Sequence, residues 1–364
     1  MMKSREFQRF MARLRCPSCK AVGPEVMDAG STMLGCRNCA RKYPFLAENA
    51  VSVIEEISDT KQQIQEFWGD IYDQAYSGFD KDLTKDVLYH HLSLLEDMFI
   101  KRRHLAVNEM PIGNLTGKDV LEIGCGGGGH ASLFKRAGAC IVASDITKER
   151  CLSTAKKFGL IEEGWGMVLQ GDAENLPFED ASFDIVYSNG VLHHSQDTEA
   201  CVREVERVLR PGGQAVIMLY CRSSILYWLK LLPHTLLNGC FFSMPEALAL
   251  GRVTEGKPSD RGVENPITRV YSRDEISQLF RRFESVALRK NSFSLSDIPL
   301  LGKIRPWLLG LMGRRPHEGG VIVYGRPYLV ETSLEIAMGK HFGFAWNILA
   351  KKQDEYNYVV PSRP

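Results

Sequence analysis

The chain has no uninterrupted run of about 20 apolar residues, the length a helix needs to cross a bilayer. Its most apolar stretch, Ser223 to Phe242, is interrupted by Lys230, Pro233, His234 and Asn238. It reads as a buried or interfacial helix pair broken at Pro233. An excess of charge is also missing. The chain has 45 Lys and Arg against 44 Asp and Glu, a net charge of +1, which gives no support for gripping nucleic acid by charge alone. The first fifteen residues scatter charges and have no apolar core, so they do not read as a signal peptide. Ten cysteines in 364 residues therefore point to a reducing, cytoplasmic setting, not to a secreted disulfide scaffold. Internal repeats and low-complexity tracts are absent. What remains is ordinary folded protein, long enough for two to three domains and for a core that needs no disulfides.

The charge is distributed unevenly. Residues 1–50 carry nine Lys/Arg and four Asp/Glu, and residues 51–100 carry three and eleven, which places an expected boundary near residue 50. Leu88, Leu92, Leu95 and Phe99 fall at helical spacing in a helical segment over 58–108. Alternation follows. Strands are expected at 119–123, 140–144, 166–171, 183–188, 214–220, 284–293 and 343–352. Helices are expected at about 129–137, from near Thr147, at about 197–209, and at 272–283, where Ser272 and Glu275 have capping-box spacing. Such alternation means a parallel α/β sheet.

Two motifs carry chemistry. Cys16, Cys19, Cys36 and Cys39 form C-x2-C-x16-C-x2-C. Two tight knuckles with four thiolates suit tetrahedral zinc, and a site closed by four protein ligands is structural. The second motif is the glycine run after the first strand of the alternation. Gly124, Gly126 and Gly129 satisfy G-x-G-x-x-G. Glu122 with Gly124, Gly126 and Gly128 equally satisfies E-x-G-x-G-x-G. Asp145 ends the next strand, where a carboxylate can accept from both ribose hydroxyls. A nicotinamide dinucleotide and S-adenosylmethionine both remain open at this point.

Three downstream features narrow the choice: Gly171-Asp-Ala-Glu-Asn-Leu-Pro-Phe178, the strand and exit loop Phe183 to His194, and Val208-Leu-Arg-Pro-Gly-Gly213. Taken in order with the glycine loop, they resemble the class I S-adenosylmethionine-dependent methyltransferases, in the broad group that includes the ubiquinone and menaquinone enzymes. The resemblance covers roughly 117–222 and, more loosely, 271–293 and 341–352. The segment around the four cysteines resembles the small zinc-ribbon activator subunit of tRNA and protein methyltransferases. Together they imply a Rossmann-like, seven-stranded, mostly parallel α/β sheet with helices on both faces, a small N-terminal zinc ribbon and helical cap inserts. The implied division is ribbon 1–50, helical lead-in 51–116, core 117–222, apolar cap 223–270, and a completing segment 271–364 that contains a second insert, 294–340.

The resemblance also implies roles. Gly124, Gly126 and Gly128, with Cys125 between them, pass under the methionine part and the ribose, and Glu122 orders that loop. Asp145 takes the ribose hydroxyls and Ile146 packs on adenine, whose amino edge meets Asp172 and Ala173. Asn189 and Gly190 lie beside the sulfonium. Gly129 departs from many relatives, which carry a larger residue there. His193 and His194 sit where the group places substrate-facing residues. Either His194 positions the acceptor or takes its proton, or one histidine faces the core while the other caps a helix. Tyr72 and Tyr76 are lid candidates, Trp68 reads as packing on the sheet, and His90, His91 and His104 read as surface or core histidines. Trp228 is a substrate candidate in the first insert. Both inserts are rich in large apolar residues, which fits a cap over an apolar substrate, a peripheral membrane contact, or packing on the core or a dimer partner. The expected activity is methyl transfer to a small apolar or amphipathic metabolite, with S-adenosylhomocysteine as product. The alternatives are an RNA or protein methyltransferase that reads substrate through its ribbon, and a non-catalytic cofactor-binding protein.

Overall fold

The computed structural model describes residues 4–27, 32–255 and 262–354. Eleven strands run β1 (Glu25–Val26), β2 (Met33–Gly35), β3 (Lys42–Ala47), β4 (Ala50–Ser52), β5 (Asp119–Ile123), β6 (Cys140–Asp145), β7 (Trp165–Gln170), β8 (Phe183–Asn189), β9 (Leu209–Tyr220), β10 (Ser285–Asn291) and β11 (Ala345–Lys351). Their spatial order is β1-β2-β3-β4-β7-β6-β5-β8-β9-β11-β10. The seven strands from β7 to β10 form the expected sheet. They are parallel except for β11, which runs antiparallel to both neighbours.

Each strand forms where a short β-branched or apolar run meets a turn. The central strands are buried along nearly their whole length, as expected of a parallel sheet covered on both faces. Helices Gly129–Arg136, Lys148–Leu160 and Thr198–Val208 connect them. Strand order reverses at β5, which has β6 on one side and β8 on the other. Above that point the connecting loops diverge, leaving a crevice at the carboxyl ends of the strands. Helix Lys85–Arg102 buries the predicted Leu88, Leu92, Leu95 and Phe99, and the Ser272–Glu275 capping box forms.

The ribbon is continuous with this sheet. β1 to β3 make its antiparallel part, and residues 28–31, within the segment joining the knuckles, lie outside the described residues. β4 then pairs parallel with β7, Ala50 opposite Val168 through Ser52 opposite Gln170. Residue 50, where the charge changes sign, thus lies in the strand that joins ribbon to core. Helix Arg5–Arg13 makes a second connection. It buries Phe7, Phe10 and Met11, and Phe10 meets the rings of Trp165 and Phe178.

At the amino end of β5, Asp119 accepts from Arg9 at 2.6 Å, Arg13 at 2.9 Å and Arg210 at 2.7 Å. Much of the ribbon's basic character is thus used internally.

The first insert departs from expectation at one point. Helical backbone runs through Pro233: a π-helical turn, Tyr227–Leu231, leads directly into helix Leu232–Leu237. The π turn shifts the hydrogen-bond ladder just where proline lacks an N–H. The break comes instead at Gly239, whose φ is +71°. Residues 256–261 of this insert lie outside the described residues. Among the described residues, no helix is long and apolar enough to cross a membrane.

The arginine cluster on Asp119 gives a test. Burial pushes the Asp119 carboxyl up, but the Arg13 and Arg210 hydrogen bonds outweigh it and hold the group below its ordinary 3.8. Its contribution to stability is therefore present above that value and lost as pH falls through the lowered one. Asp119→Asn should cost about 2 kcal/mol, discounted for the part-exposed arginines. Urea unfolding near pH 7 measures it, and an unchanged midpoint would show that the cluster does not pin the helix.

Candidate active site

The crevice holds a cavity of about 330 Å³. Its floor is the turn from β5 into helix Gly129–Arg136. Gly124, Gly126 and Gly128 have φ of +74°, +55° and +80°, a region that costs other residues about 1–2 kcal/mol. Space is equally restrictive. A Cβ on Gly124 would lie 2.3 Å from Val191 Cγ2, and one on Gly128 would lie 2.6 Å from Thr154 Oγ1. Gly129 is explained by the second insert, because a Cβ there would meet Val323 Cγ2 at 2.8 Å and the Ile322 carbonyl at 3.2 Å.

Around this floor the structure gathers all the cofactor-binding candidates except Glu122 and Gly128 into the cavity lining. Asp145 accepts from the Gly126 N–H at 3.0 Å through Oδ2 and from the Thr147 N–H at 2.9 Å through Oδ1. These bonds fix the carboxylate and leave each oxygen a further lone pair. Ile146 lines the wall, its carbonyl held by Gln65 and Gln170. Asp172 is already engaged: Lys61 Nζ lies 2.6 Å from its Oδ2 and 2.7 Å from Glu174, so its free capacity is smaller than the motif suggests. Cys125 is buried, with Sγ 3.4 Å from Thr154 Oγ1, and Gly128 packs just beneath, against the same Thr154. Asn189 Oδ1 is buried without a hydrogen-bond partner, and Gly190 has a φ of +74°. Glu122 lies behind the loop, one oxygen without a partner and the other 3.7 Å from His130 Nδ1. Burial and the charge of Asp145 hold its carboxyl well above the usual range.

The two exit-loop histidines divide. His193 is fully buried against Tyr220, ring centroids 3.8 Å apart, with no hydrogen-bond partner on either nitrogen, and it does not line the cavity. His194 lines it. Its Nδ1 lies 2.9 Å from the Ile267 carbonyl. The same Nδ1 also lies 3.1 Å from Asn265 Nδ2, which only donates, and 3.1 Å from Thr268 Oγ1, so its partners call for opposite tautomers. Nε2 makes no hydrogen bond and lies 3.5 Å from Glu255 Oε1, which in turn accepts from Tyr220 Oη at 3.0 Å. Burial pushes the His194 imidazole below its ordinary 6.5, with the Glu255 charge and the Ile267 carbonyl pulling it partly back. A neutral imidazole in a cavity lining keeps one ring nitrogen that can accept a proton.

The lead-in helix Asp59–Ala75 forms the roof. Trp68 lines the cavity, edge-on to His194 at 5.2 Å and under the Arg150 guanidinium at 4.9 Å, so it does more than pack on the sheet. Tyr76 also lines it and donates to the Val323 carbonyl at 2.6 Å. Tyr72 does not. It is buried, with its hydroxyl 2.6 Å from Asp80. Trp228 is 55% exposed and outside the lining, because the first insert turns that face outward. His104 is buried yet lines the cavity, its Nδ1 accepting the Ala106 N–H. Lys61, Arg150, Tyr220 and Glu255 also line it without belonging to any motif.

A family model described as a methyltransferase domain matches residues 121–217. The chain is 33% identical over 174 residues to a ubiquinone biosynthesis O-methyltransferase of Bordetella avium, a match covering 44% of this chain and 71% of that protein. It is 42% identical over 102 residues to a probable phthiotriol/phenolphthiotriol dimycocerosates methyltransferase 2 of Mycobacterium ulcerans, covering 28% of this chain and only 38% of that one. Among solved structures, magnesium protoporphyrin IX methyltransferase from Synechocystis, with bound S-adenosylhomocysteine, aligns at 14% identity and a TM-score of 0.45 over 81% of this chain and 100% of the other. The chain belongs to the S-adenosylmethionine-dependent methyltransferases of the class I fold.

The floor can be probed directly. Gly124→Ala should weaken S-adenosylmethionine binding at least tenfold by calorimetry. Adding Val191→Ala should restore only part of it, because the clash goes but the positive φ stays. Unchanged affinity would show that the loop has room the geometry denies.

Proposed function

We propose that the chain methylates a small apolar or amphipathic acceptor whose nucleophile carries a proton, with His194 as the base. The observation that carries this reading is His194 in the cavity lining, its Nε2 without a hydrogen-bond partner and 3.5 Å from Glu255. Bound in the cavity, S-adenosylmethionine supplies an electrophilic methyl on a sulfonium that departs neutral. Asp145 would hold the ribose, Ile146, Asp172 and Ala173 the adenine, and Asn189 and Gly190 the methionine end above the glycine turn. Trp68 and Tyr76 close the roof and exclude water. Ile267, Asn265 and Thr268 hold the His194 ring at Nδ1, Nε2 takes the acceptor's proton, and the Glu255 carboxylate stabilises the imidazolium that results. Tyr220, Tyr324 and Met218 in the lining offer apolar surface, with Glu255 and Arg102 bonded to the two tyrosine hydroxyls, which favours an acceptor that is apolar or amphipathic. Relatives named for ubiquinone and phthiotriol dimycocerosate substrates point the same way. A ribbon that reads RNA is less favoured, since Arg9, Arg13, Arg15, Arg37 and Arg41 are all ion-paired within the chain.

His194→Ala should lower methyl transfer from labelled cofactor into an apolar metabolite extract about a hundredfold or more, with cofactor affinity within about twofold. Because the base must be neutral, the rate should be flat near pH 7. Its acid limb should lie below the ordinary histidine value of 6.5 and be absent in the variant. Unchanged turnover would remove His194 from the chemistry.

The four ribbon cysteines are assigned to a structural zinc ion. The two knuckles share one backbone form: Lys20 and Ala40 have φ of +60° and +57°, and each donates its N–H to the first cysteine's carbonyl at 2.9 Å. All four sulfurs lie within 4.8 Å of one another, with Cys16–Cys39 at 3.6 Å and Cys19–Cys36 at 3.5 Å. Tetrahedral zinc–thiolate bonds of about 2.3 Å require sulfurs about 3.8 Å apart, so the set fits. Elemental analysis should find one zinc per chain, and Cys36→Ser should lose it and lower the melting temperature. Four freely reactive thiols in the native protein would refute the assignment.

A further inference from the structure

The two inserts leave the sheet at neighbouring points of one rim. Asn291 at the end of β10 stands opposite Ala345 of β11, which stands opposite Tyr220 at the end of β9. Two strand spacings of about 4.8 Å separate the exits. Lys290 ties them together, donating to Ser223 Oγ at 2.7 Å and to the His341 carbonyl at 3.0 Å. Beyond the rim both inserts turn large apolar side chains outward. The first presents Trp228, Leu237 and Phe242, and the second presents Leu300, Trp307 and Leu311, with Leu237 86% and Leu300 89% exposed. A monomeric water-facing surface rarely exposes so many large apolar side chains on two segments that leave one rim.

The charges on these segments are one-sided. Lys230, Lys303, Arg314 and Arg315 are exposed, and none forms an ion pair among the described residues. All but one of the described carboxylates on these segments are engaged: Glu246 with Arg222 and Tyr227, Glu264 with Arg252, Glu331 with Arg102, Glu335 with Arg305, Asp297 capping the Ser294 N–H, and Glu255 in the cavity, which leaves the exposed Glu318 without an ion pair among the described residues. The cavity reaches the same rim, lined there by Tyr220, Asn291, Ser292 and Glu255.

We infer that this rim is a docking face for the surface of an anionic lipid bilayer, presenting the cavity to an acceptor dissolved in that bilayer. The inference rests on the apolar-acceptor reading above. Apolar side chains enter the acyl boundary while lysine and arginine stay at the headgroups. A second copy of the chain fits less well, since an isologous pairing sets four cations against the same four.

The test is co-sedimentation of the full chain with phosphatidylcholine vesicles and with vesicles of mixed phosphatidylcholine and phosphatidylglycerol. Partitioning to the anionic vesicles is expected to exceed that to neutral ones at least tenfold and to fall with added salt. Lys303→Glu should lower it about fivefold or more, and Leu237→Glu with Trp307→Glu should nearly abolish it. These positions are exposed, and an unchanged melting temperature for each variant confirms folding. The salt dependence of the wild-type chain tests the inference without any variant. Equal partitioning to both vesicle types, or none to either, overturns it. So does a concentration-dependent dimer in ultracentrifugation that the Leu237 and Trp307 changes dissolve. His194→Ala should sediment like the wild type, so failure of docking and failure of the proposed chemistry are read separately.

Discussion

Everything at the site depends on how closely the turn after β5 approaches the exit loop after β8. The two strands are neighbours where the sheet reverses its order, and their loops pass with Gly124 so near Val191 that no side chain fits between. That approach creates the crevice, aims the N–H of Gly126 at Asp145, and sets His194 on the far side of the same opening. A glycine loop relaxed by even a methyl group would push the β8 loop outward, and His194 would move with it. At Gly124 a positive φ and the missing Cβ meet this requirement together, while Gly128 answers to Thr154.

The roof depends on contacts between segments far apart in the chain. Tyr76, from the lead-in helix, bonds to Val323 of the second insert, and Val323 packs on Gly129 of the floor. Lys61, one turn into the same helix, reaches across to Asp172 and Glu174. Floor, roof and insert thus meet around one opening. The missing side chain at Gly129 is what lets the insert come down onto the loop.

The strand–helix alternation was legible because the central strands are short apolar runs bounded by glycine and charged turns. The cofactor loop was legible because a glycine needed for its φ or its missing Cβ leaves a fixed spacing. The four cysteines were legible for the same reason, since metal geometry dictates sequence separation. What escaped lacks local periodicity. Glu255 reaches His194 only because the first insert folds back over β9, and Arg150 and Lys61 acquire roles by facing an opening that three other segments define. Trp68, Tyr72 and Tyr76 share helical spacing, yet only the first and last face the cavity. The buried Asp80 draws the middle hydroxyl inward, a partner that spacing alone does not reveal. Pro233 likewise misled, because a π turn absorbed the break.

The pairing of β4 with β7 has a consequence for the fate of the protein in the cell. β7 would be the last strand of the methyltransferase sheet if the ribbon were absent, and its outer row of N–H and C=O groups is covered by three residues of the ribbon's own chain. A loosened ribbon would leave the Val168–Gln170 half of a buried, mostly apolar strand open at its edge. Such an edge templates pairing with other chains. The small cysteine module is thus also an edge cover, and its loss would open that edge to pairing with other chains.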